Sequence, residues 1–275
     1  MNWEIAKNWL LVLFVVLDGL LGWQLYSSRQ VMNGYAESQA DLLANTKTLL
    51  AEHGLTLTSD VPTKQPDLAS FQAQTKTPVL KDLQTAIFPR ATKPQISNSV
   101  GQVSTDGGDI TLLSDASWQV TFSKPQTLTS KRDSRSFAYQ GDLYVTDSVD
   151  STTKRVVFLQ AYKDYPIFDS RLITNQTGNN LFSYTQSEID SIRPTSDPKP
   201  VISALDALDS LANSVDKSEG QADNKILMVD LGFARKVPLY QTGVPTNYWF
   251  PVWRVATQGG TYYVNAFTGE VEIAP

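Results

Sequence analysis

The run Trp9–Tyr26 (WLLVLFVVLDGLLGWQLY) constrains this chain more than any other part of it. As a helix it measures roughly 27 Å at 1.5 Å per residue, enough to cross the hydrocarbon layer of a bilayer. Trp3 and Trp9 lie at one end and Trp23 and Tyr26 at the other, where aromatic belts form. Eleven Leu, Val and Phe residues, each contributing about −0.3 to −0.6 kcal/mol, outweigh the single Asp18 at about +3 kcal/mol, so the segment is expected to insert. A cleaved signal peptide would follow an acid-free core with small residues. Here bulky Trp23, Leu25 and Tyr26 follow instead, which favours an uncleaved signal anchor. A short N-terminal tail carrying Lys7 and a long polar remainder favour a cytoplasmic N-terminus, with about 245 residues exported.

Asp18 is the most informative residue of the span. An acid among lipid tails costs about 2.5–3.5 kcal/mol unless a partner or water meets it. At a helical period Leu11, Val15, Asp18, Gly22 and Leu25 share one stripe, and Gly22 would let a second backbone approach closely. Two readings stay open. The stripe docks on a partner helix, or Asp18 snorkels to the outer headgroups and touches nothing specific.

Composition narrows the chemistry of the remainder. The chain has 275 residues, no Cys, a single His and a net charge of −5. A nucleic-acid binder held by a basic surface is therefore not expected. Disulfides, thiol nucleophiles and thiolate metal sites are excluded, and a zinc site lacks its usual ligands.

Along the expected exported part, residues 35–53 read as a helix. Tyr35, Leu42, Leu43, Thr46, Leu49 and Leu50 fall on one face, Ser38 and Asp41 lie early, and Gly54 supplies the stop. His53 sits where a helix C-terminus favours partial positive charge. Residues 58–78 hold three prolines and read as a connecting segment, and Val79–Phe88 as a short helix. From about residue 96 the pattern becomes β, with turn signals at Gly107-Gly108, Gly141-Asp142, Gly178-Asn179 and Gly259-Gly260. Strands are expected at Trp118–Phe122, Phe137–Val145, Val156–Ala161, Ile167–Ile173 and Leu181–Tyr184. A helix follows near 201–213, capped by Ser196 or Asp197 and opened by Pro198 or Pro200. Strands then resume at Ile226–Leu231, Pro238–Gln241, Val252–Ala256, Tyr262–Ala266 and Val271–Ile273. The polar interval 188–199 is the expected boundary between modules.

No catalytic constellation emerges. Asp206 and Asp209 flank an apolar stripe and read as a solvated face. Asp106-Gly-Gly-Asp109 lacks the alternating acids of a calcium loop. Lys124, Lys131, Arg132 and Arg135 form a basic spot that could meet an anionic polymer or lipid, or simply be a solvated loop. There is no Gly-x-Ser-x-Gly, and the only His, His53, lies near the expected membrane segment, so a Ser–His triad has little support. No metal site and no cofactor are expected. The aromatic group Tyr248, Trp249, Phe250, Trp253, Tyr262, Tyr263 and Phe267 is either the core beneath the 201–213 helix or a partly exposed binding edge. In the second case Trp249, Trp253, Tyr262 and Tyr263 would form the surface that holds a peptide or wall fragment.

The stretch PVWRVATQGGTYYVNAFTGEVEI (Pro251–Ile273) is similar to the end of PepSY-like modules. More widely, the chain resembles the YycI (WalI) family. The likeness rests on Trp3 before LDGLLGWQLY (Leu17–Tyr26), on VVFLQAYKDYPIFDSRL (Val156–Leu172), on Ala204–Leu208, on Val229–Phe233 and most strongly on Val252–Val271, with residues 58–115 matching least. The resemblance implies a single-pass membrane protein of low-GC Gram-positive bacteria. With YycH, it would set the activity of the YycG/WalK sensor histidine kinase, partly through contacts between membrane helices. It implies no catalytic residues. The expected architecture is α+β: a cytoplasmic tail and transmembrane anchor (1–28), then two exported modules (29–195 and 196–275), each a helix with an antiparallel sheet.

Overall fold

The computed structural model describes residues 38–274, apart from 76, 93–94, 98–100, 114–115, 131, 216–223 and 236–246. The apolar segment 9–26 with its stripe of Leu11, Val15, Asp18, Gly22 and Leu25 lies outside the described residues, as do Tyr35, Lys131 and the strand expected at Pro238–Gln241. Among the described residues no helix is long and apolar enough to cross a membrane.

The described chain is α+β, with three α-helices and a mostly antiparallel sheet. Helix α1 (Gln39–Glu52) starts on Ser38, whose Oγ accepts from Asp41 N at 3.2 Å and donates to Asp41 Oδ2 at 2.7 Å. Gly54 ends it at φ +73, a left-handed conformation natural to glycine. Strands β1 (Leu55–Leu57), β2 (Asp67–Leu68) and β3 (Phe71–Thr75) follow, then helix α2 (Leu80–Ile87). The segment 58–78, expected only to connect, thus contributes two strands, β2 and β3. In FQAQT, Phe71 and Ala73 turn inward while the intervening Gln72 is exposed, the two-residue alternation of a half-buried strand.

A meander comes next: β4 (Gln95–Ser97), β5 (Gln102–Ser104), β6 (Gly108–Leu112) and the long β7 (Ser117–Thr127). The strand expected at Phe137–Val145 is for the most part absent. Single 3₁₀ turns occupy Ser134–Phe137 and Gly141–Leu143, and only β8 (Tyr144–Asp147) is extended. Asp133 causes the departure by capping the first turn, its carboxylate accepting from Arg135 N at 3.0 Å. Strands β9 (Arg155–Tyr162), β10 (Tyr165–Thr177), β11 (Asn180–Ser187), β12 (Ile189–Pro194) and β13 (Lys199–Pro200) lead to helix α3 (Ala204–Ser214). That helix begins later than the prolines suggested. Ser203 is its cap, in a reciprocal box in which Ser203 Oγ accepts from Asp206 N and the Asp206 carboxylate accepts from Ser203 N. Pro200 lies instead in β13, paired with β2. The chain closes with β14 (Asn224–Arg235), β15 (Tyr248–Thr257), β16 (Gly260–Asn265) and β17 (Val271–Ile273).

All described strands except β2 and β13 join one sheet, in the order β12-β3-β15-β14-β10-β11-β7-β6-β5-β4. Off this path β8 and β9 extend from β10, β16 and β17 from β15, and β1 lies beside β14. Parallel pairing among the described strands is confined to β14 with β1 and with β10. Two cores result. One lies under α2 and the 3₁₀ segment, around Leu83, Trp118, Val120, Tyr144, Phe158 and Tyr184. The other packs α3, through Ala204, Ala207, Leu208 and Leu211, against Trp249, Trp253, Val255 and Val264. The second core also takes in Leu50, Leu55, Leu68 and Phe71, so the C-terminal helix and strands are completed by residues far upstream.

Candidate interaction surface

Alternation along β15 and β16 decides what the C-terminal aromatics do. Trp253 stands opposite Val264 and Val255 opposite Tyr262, while Arg254 stands opposite Tyr263 and Val252 opposite Asn265. Cross-strand partners share a face, so Trp249, Trp253 and Tyr262 point toward the α3 core and Tyr263 points the other way. Trp249 is 0% and Trp253 1% exposed. Each indole N–H is spent internally, on Asp169 Oδ1 at 2.8 Å and on Ile202 O at 3.0 Å respectively. Trp249 also stacks on Phe71 at 5.6 Å with the rings 8° apart. The four residues expected as one surface are therefore divided between two faces of the sheet, with both tryptophans inside. Only the half-buried Tyr262 and Tyr263 keep contact with solvent.

On the Tyr263 side, Gly232 of β14 lets β10 come close. A methyl group there would sit 2.5 Å from Pro166 O and 2.6 Å from the Phe168 ring. Phe168 fills the space, with Tyr263 stacked on it at 5.5 Å and the Arg254 guanidinium over its face at 4.5 Å. Burial pushes the Tyr263 phenol up to about 12, against the pull of Arg171 and Arg254. The hollow beside it, lined by Arg235, Val252, Tyr263, Asn265, Glu270 and Glu272, has room for about 20 Å³, the space of a single water. Among the described residues this hollow is too small for a peptide or glycan.

Arg254 itself gathers two carboxylates, those of Asp147 and Asp230. Its Nη1 and Nη2 donate to Asp147 Oδ2 and Oδ1 at 2.9 and 3.1 Å, a bidentate pair. Its Nε and Nη2 donate to Asp230 at 2.9 and 2.8 Å. The Arg254 and Asp147 side chains are 4% and 0% exposed, that of Asp230 28%. Burial raises the Asp230 carboxyl above the usual range, although Arg254 pulls it down. Asp147 ends the edge strand β8, whereas Asp230 and Arg254 are cross-strand partners on β14 and β15. The charge cluster therefore pins the first half of the sheet to the C-terminal hairpin. A faint mark of it is visible in the sequence, as one Arg within VWRVA and one Asp within VDLG.

The remaining candidates fall in separate places. Asp206 completes the capping box of α3 by accepting from Ser203 N, and Asp106 accepts from Thr92 N and Oγ1 at 3.1 and 3.2 Å. His53 Nδ1 lies 3.1 Å from Val215 O. In the basic spot Arg135 is paired with Asp133 at 2.7 Å, Arg132 lies 3.9 Å over the Phe137 ring, and Lys124 is exposed. Among the described residues no three His, Cys, Asp or Glu side chains gather as a metal site would require.

Comparison with known proteins adds identity to this geometry. A family model described as "YycI protein" matches residues 36–267. No curated protein matches the chain. Among solved structures, an uncharacterized protein from Eubacterium rectale ATCC 33656 is similar over 85% of this chain and 99% of that one, with TM-score 0.49 and 10% identity. YycH from Bacillus subtilis is similar over 74% of this chain, with TM-score 0.46 and 13% identity, and the match spans about half (53%) of that structure. With most of its length matched by the family model, the chain belongs to the YycI family.

Proposed function

We propose that this chain is an accessory regulator of a two-component system, held in the cell membrane by Trp9–Tyr26 with its N-terminus in the cytoplasm. In this reading it acts on a YycG/WalK-type sensor histidine kinase together with a YycH-type partner. Membership of the YycI family is the observation that carries the reading. The sequence supports the membrane half independently, since an apolar span with an acid and a small residue on one stripe calls for a second helix. The exported part is taken as the modules 29–195 and 196–275, the second PepSY-like, and no catalytic step is assigned to it. Regulation then means differential contact with two states of the kinase, typically about 1–3 kcal/mol.

Asp18→Leu tests the docking stripe. Co-purification with the kinase should fall while the exported part stays folded, and undiminished co-purification refutes the role of Asp18. Exchanging residues 1–28 for an unrelated anchor separates the two halves. Loss of regulation is expected; regulation that persists assigns the activity to the exported contacts and reduces the span to a tether.

A further inference from the structure

A surface unused by this reading lies between α2, β7 and the 3₁₀ turn Ser134–Phe137. Phe88, Phe122 and Phe137 meet edge to face there, with ring centroids 5.9 and 6.2 Å apart, and with Ala86 and Ala138 they line an open groove. Its volume is about 240 Å³, against about 20 Å³ for the hollow beside Tyr263. The Gly107-Gly108 turn builds one wall. Gly108 sits at φ +147, and a methyl group there would fall 2.1 Å from Thr121 O and 3.1 Å from the Phe88 ring, so only glycine lets Phe88 lie against the turn. Phe122, Phe137 and Ala138 stay half-buried and Ala86 is exposed, which leaves apolar surface open to solvent.

The walls restrict how an occupant can be recognised, because their backbone groups are engaged already. Gly107 N donates to Thr105 Oγ1 and Gly107 O accepts from Ser123 N, while Phe88 O accepts from Ala91 N and from Gln84 Nε2. Ser136 N and Ala138 N donate to Asp133 O and Arg135 O. The neighbouring end of β7 offers no strand template either, since Pro125 has no N–H and the Gln126 amide covers Lys124 O at 2.9 Å. What remains is apolar surface and one charge. Arg132 is the single charged residue lining the groove among the described residues. Its guanidinium rests 3.9 Å over the Phe137 ring, and no hydrogen bond or ion pair takes up its N–H groups among the described residues. The two acids next in sequence to groove residues are engaged elsewhere, Asp106 by Thr92 and Asp133 by Arg135.

We infer that this groove holds a single-chain anionic amphiphile, one alkyl chain ending in a carboxylate or a phosphate. The chain lies against Phe88, Phe122 and Phe137, and the head meets Arg132, whose planar fork suits either oxyanion. A cationic amphiphile would bury the same chain but set like charge against Arg132, and a peptide would bring amides for which the walls have no free partners. A groove of about 240 Å³ lies just below the usual range of ligand clefts, so it takes one short chain and not the two tails of a bilayer phospholipid. None of the residues involved belongs to the apolar segment 9–26, so failure of this inference and failure of the anchor reading are read separately.

The test uses the full chain in phosphatidylcholine nanodiscs and decanoate carrying a diazirine at its chain end. Photolysis followed by peptide mass spectrometry then reads which residues are labelled. Labelling that saturates and falls on residues 86–89, 122 and 137–138 is expected. Decanoate and decyl phosphate without the diazirine should both compete, and the one that does so at lower concentration identifies the head. Decyltrimethylammonium should compete at least roughly tenfold less well because of its charge, and hexanoate likewise because each buried methylene is worth roughly fourfold. Arg132→Glu and Ala86→Trp, both at exposed positions, should each raise the half-saturating concentration by roughly tenfold with an unchanged melting temperature. Any of three results overturns the inference: labelling that does not saturate or spreads along the chain, equal competition by the cationic amphiphile, or indifference to both substitutions. An acidic peptide in which Glu and Thr alternate around one Leu, competing as well as decanoate, assigns the surface to protein and likewise overturns it.

Discussion

Replacing Arg254 by Met should be among the most damaging single changes in the protein. The substitution keeps much of the volume over Phe168 but removes the charge that answers two carboxylates. The two carboxylates then differ in what they can do. Asp230 is more than a quarter exposed and can recover water, whereas the Asp147 side chain has no exposed surface and loses its bidentate partner with nothing to replace it. Stranding a buried charge in this way costs about 3–5 kcal/mol. For a folded unit of this size that corresponds to a melting point lower by roughly 10 °C. Thermal and urea unfolding followed by circular dichroism would measure it. The double variant Arg254→Met/Asp147→Asn should regain most of the loss. An Asn keeps an oxygen for Val149 N, which donates to Asp147 Oδ1 at 3.1 Å, and carries no charge to strand. An Arg254→Met protein that melts within about 2 °C of the parent, or a double variant no better than the single, would refute the view that Arg254 is needed chiefly to neutralise Asp147.

Two further outcomes follow from the two faces of the same sheet. Gly232→Ala should cost about 1–3 kcal/mol, because the added methyl meets Pro166 O and the Phe168 ring; urea unfolding unchanged from the parent would show that β10 can simply step aside. Burial raises the Asp169 carboxyl above its ordinary value, with the Trp249 N–H and Arg235 opposing it. The folded protein therefore takes up this proton at a higher pH than the unfolded chain, and the contribution, complete below about pH 4, fades as pH rises through the raised value. Asp169→Asn, which mimics the protonated form, should gain stability relative to the parent as pH rises from about 4 to 7; a difference in urea midpoint that does not change with pH would contradict this.

Much of the fold was legible because local signals agreed with tertiary packing. The Gly178-Asn179 hairpin, Gly54 at the end of α1 and the strand Val271–Ile273 stand where glycine placement and alternation put them. Legibility failed where a long-range contact outvoted composition. FQAQT looked like linker because two glutamines and a threonine dilute it, yet Phe71 is stacked on Trp249 from the far end of the chain. Phe137–Val145 has strand-like residues, but Asp133 and Gly141 set tight turns. The aromatic cluster was recognisable as a cluster, while its division between two faces depended on register, since Tyr262 and Tyr263 are neighbours that point apart.

The pairing of β1 with β14 and of β3 with β15 has a temporal side. Leu55 waits for Asn224, and Phe71 for Trp249, before either finds its hydrogen-bonded neighbour. Chains that close such distant contacts nucleate slowly, since loop-closure entropy is met before the contact repays it. While the ribosome is still making residues beyond 200, Leu55, Leu68 and Phe71 have no completed core to enter, and that interval is when this polypeptide is most exposed to proteases and to its own neighbours.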